Sequence, residues 1–398
     1  MIQLKHSRPI LLPILLLASV ILAACQTDGT ENNSVRDQQS TVVLGAEQVP
    51  ATTTQALGLD TSCDTSTPYT ALWFQCEAAS FALLVYVSCW LKRHEPACFL
   101  AAMLNSQPLG FYGPAQLVQD ARRHGVEVRS VDVLHSAWDC SLEQPQVQHP
   151  AANGWALQTQ PAIRLGLRMV SGLQKEVAER ICAARENGPF TSTQDLALRC
   201  ALDAGDLNAL ASADALISLS GHRRQQVWDA SALRPAPALL QGVPIEEDVL
   251  ELPPADEGEE VTFDYAATGL TLRSHPLQLL REQLSKQKLL TAAQMRDYPS
   301  GRLVRACGIV TARQQPGTAK GVVFVTLEDE TGSVNIIVWK AVKEQFRDAV
   351  YRARLMAVYG VWQRDEATGG QVRHVIAKRV VDMTHLLGEL ATTSRDFH

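Results

Sequence analysis

The sequence predicts an α+β multidomain protein in which a helical region with a helix-hairpin-helix is followed by a five-stranded β-barrel of the OB type. Three observations predict it. Between residues 302 and 382, period-two alternation marks five strand segments with one helix-like stretch between the third and the fourth. Between 78 and 232 the apolar residues recur at helical spacing instead and are punctuated by Pro and Gly. The composition, 46% hydrophobic and 20% charged over 398 residues, belongs to a globular chain long enough for two or three cores.

Net charge excludes little. The formal value is −6, but the stretch from Glu246 to Asp264 holds nine acidic residues and no basic one, and without it the balance becomes +3. Distribution of charge is therefore more informative than the total. The nine cysteines are scattered, odd in number and without a C-x-x-C, so neither a disulfide framework nor a zinc site is predicted. His94 and Cys98 stand one helical turn apart, yet no second pair of ligands lies near them, and no metal site is assigned.

Residues 1–25 read as a secretory signal. Lys5, His6 and Arg8 precede the apolar run Pro9 to Leu22, which ends in Leu22-Ala23-Ala24-Cys25. That tetrad resembles a bacterial lipobox, which makes Cys25 a candidate for lipidation and the polar Gln26 to Gln39 a tether. The run is too short for a comfortable membrane span, and a buried helix is the bland alternative. Residues 26–77 carry no strong period and are expected to be partly disordered.

From Ala78 to Leu104 helix formers and apolar residues predict two packed helices divided at Pro96. A short helix should begin at Pro114 and end before Gly125, with Arg122, Arg123 and His124 in its last turn. Residues 162–185 are expected to form a helix, a turn at Gly172 and a second helix with Val177, Ile181 and Ala184 on one face. A helix-hairpin-helix binds DNA without sequence preference by aiming hairpin N–H groups and a helix N-terminus at a phosphate. The candidate contacts are Ser171, Gly172, Leu173 and Lys175. Only one hairpin glycine is present, in Gly172-Leu173-Gln174, so a purely structural hairpin stands beside that reading.

Residues 233–262, with their prolines and acidic run, read as an exposed connector that repels DNA, and a short amphipathic helix should then run to about Gln287. The five strands are expected at Arg302–Thr311, Val322–Glu328, Ser333–Trp339, Arg354–Arg364 and Gln371–Asp382, with a helix over Ala341–Tyr351. Three strands, a helix and two strands is the OB order. Turns at Asp329-Glu330-Thr331-Gly332 and Thr368-Gly369-Gly370 agree with it. Alternation sends Val323, Val325, Leu327, Val334, Ile336 and Val338 inward and puts Phe324 and Trp339 on the opposite face. There the rings are candidates to stack on bases, flanked by Arg305, Arg313 and Lys320, with Arg364 and Arg373 on the last two strands. The alternative is that the rings cap the barrel against its helix. Residues 301–398 hold 14 Lys or Arg against 10 Asp or Glu.

Several stretches resemble the bacterial error-prone DNA polymerases of the replicative C family. Ala78 to Tyr86, Trp90-Leu91-Lys92, Leu104 to Pro108 and Phe111-Tyr112 are similar to the end of the family's fingers region. Gly188-Pro189-Phe190, Asp195-Leu196, Ala211 to Leu216 and His222-Arg223-Arg224 resemble its next helical unit, except that Asp214 stands where relatives often have glycine. Arg313 to Val322, Phe324 to Gly332 and the final Ser394 to His398 are similar to its C-terminal end. The resemblance runs from about Ala78 to the last residue. It implies a division into 1–25 signal-like, 26–77 unassigned, 78–140 fingers remnant, 150–232 helix-hairpin-helix region, 233–300 connector and helix, and 301–390 OB domain.

The resemblance also implies damage-induced, error-prone DNA synthesis as the family role, with Mg²⁺ as the full-length cofactor. The family's metal-holding palm carboxylates lie before the fingers, and residues 1–77 contain no Asp-x-Asp. The expectation is thus a truncated polymerase with no catalytic residue, no cofactor and no independent activity, which binds single-stranded or primer-template DNA. Other translesion synthesis proteins are its implied partners and the cytoplasm its implied location. Two other readings stay open: a lipid-anchored envelope protein that uses these domains as a scaffold, and a degenerate remnant without a role.

Overall fold

A computed structural model of the chain describes residues 71–109, 112–145, 160–232, 250–365, 372–390, 392 and 394–397. The signal-like segment with Cys25, residues 26–70, Phe111, the first part of the acidic connector and the Gly369-Gly370 turn lie outside the described residues. The chain divides into two compact units. The first takes the residues up to Arg129 together with Asp139–Leu165, and the second Ser130–Trp138 together with everything from Gly166 onward.

In the first unit α1 (Ala71–His94) and α2 (Pro96–Asn105) are divided at Pro96, which opens α2 where its missing N–H costs no hydrogen bond. Ala97, Leu100, Ala101 and Leu104 form the buried stripe of α2. Helix α3 runs from Pro114 to Arg123 and stops before Gly125, whose φ of 85° suits glycine. Three short strands follow, β1 (Val128–Arg129), β2 (Ser141–Glu143) and β3 (Ala162–Arg164), with β3 in the middle, parallel to β1 and antiparallel to β2. The helix expected to begin at Ala162 is therefore corrected to a strand. Its backbone groups are taken by the two flanking strands, and Glu143 holds the Arg164 guanidinium across the ladder at 2.9 Å.

The second unit begins with a helical layer. A single 3-10 turn, Leu167–Met169, is all that forms of the expected first limb of the hairpin. After it come α4 (Lys175–Glu186), α5 (Thr193–Cys200), α6 (Ala204–Ser212), α7 (Ile217–Ser220) and α8 (Arg223–Ala232). Ser192 and Asp203 cap α5 and α6 by accepting the N–H groups of Asp195 and Asp206. Leu167, Ile181, Leu196, Leu210 and Leu216 are fully buried in this layer.

The acidic stretch departs from the expected solvated connector. Residues from Glu257 to Thr268 form helix α9, in which Glu260 is only 7% exposed. Three acidic residues in its first turn favour the helix dipole. The others find cations far away in sequence: Arg223 pairs with Glu260 at 2.9 Å and also with Asp264, Arg224 with Glu259 at 2.8 Å, and Arg273 with Glu260 at 3.0 Å. On its other side α9 packs Val261 and Tyr265 against Cys307, Ile309, Leu355 and Ala357 of the barrel wall. It joins the helical layer to the barrel. Helices α10 (Pro276–Lys286) and α11 (Ala292–Arg296) complete the approach.

Strands β4 (Leu303–Gln314), β5 (Val323–Asp329), β6 (Gly332–Val338), β7 (Leu355–Arg364) and β8 (Arg373–Asp382) form a closed barrel, ordered β4-β5-β6-β8-β7 and back to β4. All pairs are antiparallel except β6 with β8. This is the OB topology. The expected helix between β6 and β7 is broken at Phe346 into α12 (Lys340–Gln345) and α13 (Arg347–Arg352). A short β9 (Arg395–Phe397), not expected from the sequence, adds to β4 in parallel.

Closure needs two tight corners, and glycine occupies both. A Cβ on Gly308 would stand 2.8 Å from Leu327 Cβ, and one on Gly360 only 2.2 Å from the Ile376 carbonyl oxygen. The interior is filled by the residues that alternation sent inward, with Val323, Val325, Leu327, Ile336 and Val338 each at most 2% exposed.

Candidate nucleic-acid interface

Two surfaces of the second unit have the chemistry to meet a nucleic acid. The first is the hairpin before α4. Gly172 takes φ +83° with open space where a Cβ would be, and α4 begins three residues later with no side chain capping its first turn. Lys175 is exposed beside these N–H groups and lies 3.5 Å from Glu179. An anion would find backbone donors, the positive helix end and a mobile ammonium together. The other two predicted contacts have different duties. The Ser171 N–H donates to the Ala267 carbonyl at 2.8 Å, and the Leu173 side chain is 6% exposed and packs inward.

The corresponding turn between α6 and α7 is committed internally. Asp214, at φ 58°, is 8% exposed and accepts from Gln226 at 2.6 Å and Arg273 at 2.8 Å. Burial pushes its carboxyl above the usual range. The backbone N–H groups of Ala213, Asp214 and Ala215 all donate to carbonyls of α6. A carboxylate turned into its own arginine replaces the open glycine of a phosphate-binding hairpin.

The second surface is the outer face of β5 and β6. Phe324 and Trp339 are 38% and 52% exposed, outside the barrel. Phe324 pairs with Ile337 and Thr326 with Asn335, which places these four side chains on one face. Lys320, exposed and at φ 49°, ends the loop from β4 to β5. A side chain on the following Gly321 would stand 3.5 Å from Lys343 Nζ and 3.8 Å from Lys340 Cδ, so three lysines converge beside the two rings. Sequence reasoning passed over Lys340 and Lys343. Their position in the first turn of the helix that follows Trp339 was the available signal.

The predicted arginines are not gathered there. Arg313 is a correction: it is 5% exposed, and its guanidinium donates to the Val350 carbonyl at 2.8 Å, to the Ala353 carbonyl and to Ser394, with Asp396 at 3.4 Å. The cause is a bulge between Val310 and Ala312, which shifts the phase of β4 and brings Arg313 level with the inward Val325. Arg305 lies in the part of β4 that pairs with β7, over the Tyr359 ring at 5.5 Å, and donates to the Gln287 carbonyl. Arg364 and Arg373 face each other across the β7–β8 ladder. Among the described residues no group of three or more His, Cys, Asp or Glu side chains is placed to hold a metal ion, and no helix is long and apolar enough to cross a membrane.

A helix-hairpin-helix layer joined to an OB barrel with exposed rings and lysines defines a nucleic-acid-binding class of protein. The comparisons agree: residues 125–226 match the family model for a helix-hairpin-helix motif, and residues 304–381 match that for an OB-fold nucleic acid binding domain. Over 81% of its length the chain is 53% identical to the error-prone DNA polymerase of Ralstonia pickettii (strain 12J), 52% to that of Burkholderia pseudomallei (strain K96243) and 51% to that of Azoarcus sp. (strain BH72). The chain belongs, over that stretch, to the bacterial error-prone DNA polymerases. It spans 29% of the length of each of these three relatives.

Proposed function

We propose that this region serves error-prone DNA synthesis by binding single-stranded or primer-template DNA, with the β5–β6 face of the barrel stacking on bases and the α4 hairpin holding a backbone phosphate. Nucleotide addition by this chain alone is not part of the reading, and neither is an anchor to a membrane; the cytoplasm is where such binding would operate. The observation that carries it is the exposure of Phe324 and Trp339 beside Lys320, Lys340 and Lys343. Large rings left in water at some cost, next to converging cations, are what a base and its phosphate require.

Fluorescence anisotropy with a labelled thymidine strand tests this. Binding should weaken as salt rises, because lysines that neutralise phosphates release counterions. Phe324→Ala should cost about tenfold in affinity, since base–aromatic stacking contributes about 1–3 kcal/mol per base. Lys320→Ala should lower the slope of log affinity against log salt by about 0.7. Absent or salt-independent binding would count against the proposal.

A further inference from the structure

We propose that a donor-lined cavity at the β5–β6 turn end of the barrel binds one phosphate group of the strand that crosses the face. The cavity holds about 360 Å³ and is walled by Arg296 of α11, Ser333 and Asn335 of β6, Trp362 of β7 and Arg373 of β8, with Ala292 and Val334 as its apolar floor. It is distinct from the rings and lysines, which stand at the other end of β6.

The wall chemistry selects an anion. Two guanidinium groups, a hydroxyl and an indole line the space, and no carboxylate does. Asn335 accepts from Thr326 through its oxygen at 3.3 Å, which leaves its amide nitrogen as the donating end. Trp362 is 3% exposed, and its buried indole N–H has no hydrogen-bond partner among the described residues. A buried donor left unmatched is uncommon and costly, and an acceptor bound in the cavity would satisfy it. Arg296 reaches the site across Gly332: a Cβ on that glycine would come within 3.1 Å of the guanidinium, which also donates to the Thr331 carbonyl at 3.4 Å. Paired guanidinium groups around a tetrahedral anion give several charge-assisted bonds at once.

The nucleic-acid source of the phosphate rests on the reading above, but the site itself does not. Asn335 is cross-strand to Thr326, two residues along β5 from Phe324, so a strand stacked on the ring would have its backbone within reach of the cavity.

The experiment is indole N–H NMR on the full chain labelled with ¹⁵N-tryptophan, with the Trp362 signal assigned from Trp362→Phe. Inorganic phosphate, thymidine monophosphate and a thymidine oligonucleotide are titrated in turn. Each should shift the Trp362 signal. Arg373→Gln should weaken phosphate binding about tenfold, as loss of a charge-assisted bond predicts, while Phe324→Ala leaves phosphate binding unchanged. If phosphate leaves Trp362 unmoved, or Arg373→Gln binds as well as wild type, the inference falls. If phosphate moves Trp362 but the oligonucleotide neither moves it nor competes, the cavity stands and the strand reading falls. An oligonucleotide that binds with Trp362 unmoved has the reverse meaning.

Discussion

A guanidinium that already donates to two carbonyls and a hydroxyl has little left for a phosphate, and Arg313 is in that position. The alternation of β5 and β6 placed Phe324 and Trp339 outside from the sequence alone, because period two persists along an unbroken strand. Arg313 was illegible for the opposite reason. A bulge adds one residue to β4 and inverts the facing of everything after it, and nothing in Ile309 to Ala312 announces it. The structural role makes its own prediction. Arg313→Ala should lower stability by about 3 kcal/mol in urea unfolding, since it strands buried carbonyls that a charged donor now satisfies. Arg313→Lys should recover little, because one ammonium cannot reproduce the planar fork. A variant as stable as wild type that loses DNA affinity would return this residue to the interface.

Among the elements, the helices α2, α3 and α10 were legible to within a few residues because each opens on a proline at its first position. Helix α9 was not. Its acids look like a solvated run in sequence, and their partners Arg223 and Arg224 lie more than thirty residues upstream, where only the fold brings them close. A similar joint fixes α10 to the β5–β6 turn: Arg281 grips both carboxylate oxygens of Glu330, at 2.6 and 2.8 Å. Burial alone would raise the Glu330 carboxyl, but the Arg281 guanidinium outweighs it and holds the group below its ordinary value of 4.5. A depressed carboxylate stabilises the fold fully above the unfolded value and loses that contribution as pH falls through the folded one. Glu330→Gln should therefore cost about 2 kcal/mol at pH 7. Its urea midpoint should fall less than that of wild type on acidification below about pH 4.5. Parallel pH profiles for the two proteins would exclude the pair as a source of acid sensitivity.

For the whole molecule the decisive arrangement is two nucleic-acid surfaces on one unit, with α9 bonded to both sides. The Ser171 N–H of the hairpin is held by the Ala267 carbonyl of α9, and the same helix packs on the barrel wall. The barrel's order could be read from sequence because strand and helix segments follow one another in OB sequence. The addition of β9 and this coupling could not, since both are contacts between distant segments. Two weak sites fixed in one body bind a long ligand with the second contact made at high effective concentration, whereas a ligand that reaches only one site gains nothing from the other. The effect of Lys175→Ala should accordingly depend on the length of the DNA. On a thymidine strand just long enough for the barrel, its affinity should equal that of wild type. On a primer-template long enough to reach the hairpin, it should bind about threefold more weakly with a shallower salt slope, as loss of one phosphate contact requires. Phe324→Ala should weaken both. Equal losses from Lys175→Ala on short and long DNA would mean that the hairpin and the barrel do not share one strand, and the two-surface account would have to be abandoned in favour of binding by the barrel face alone.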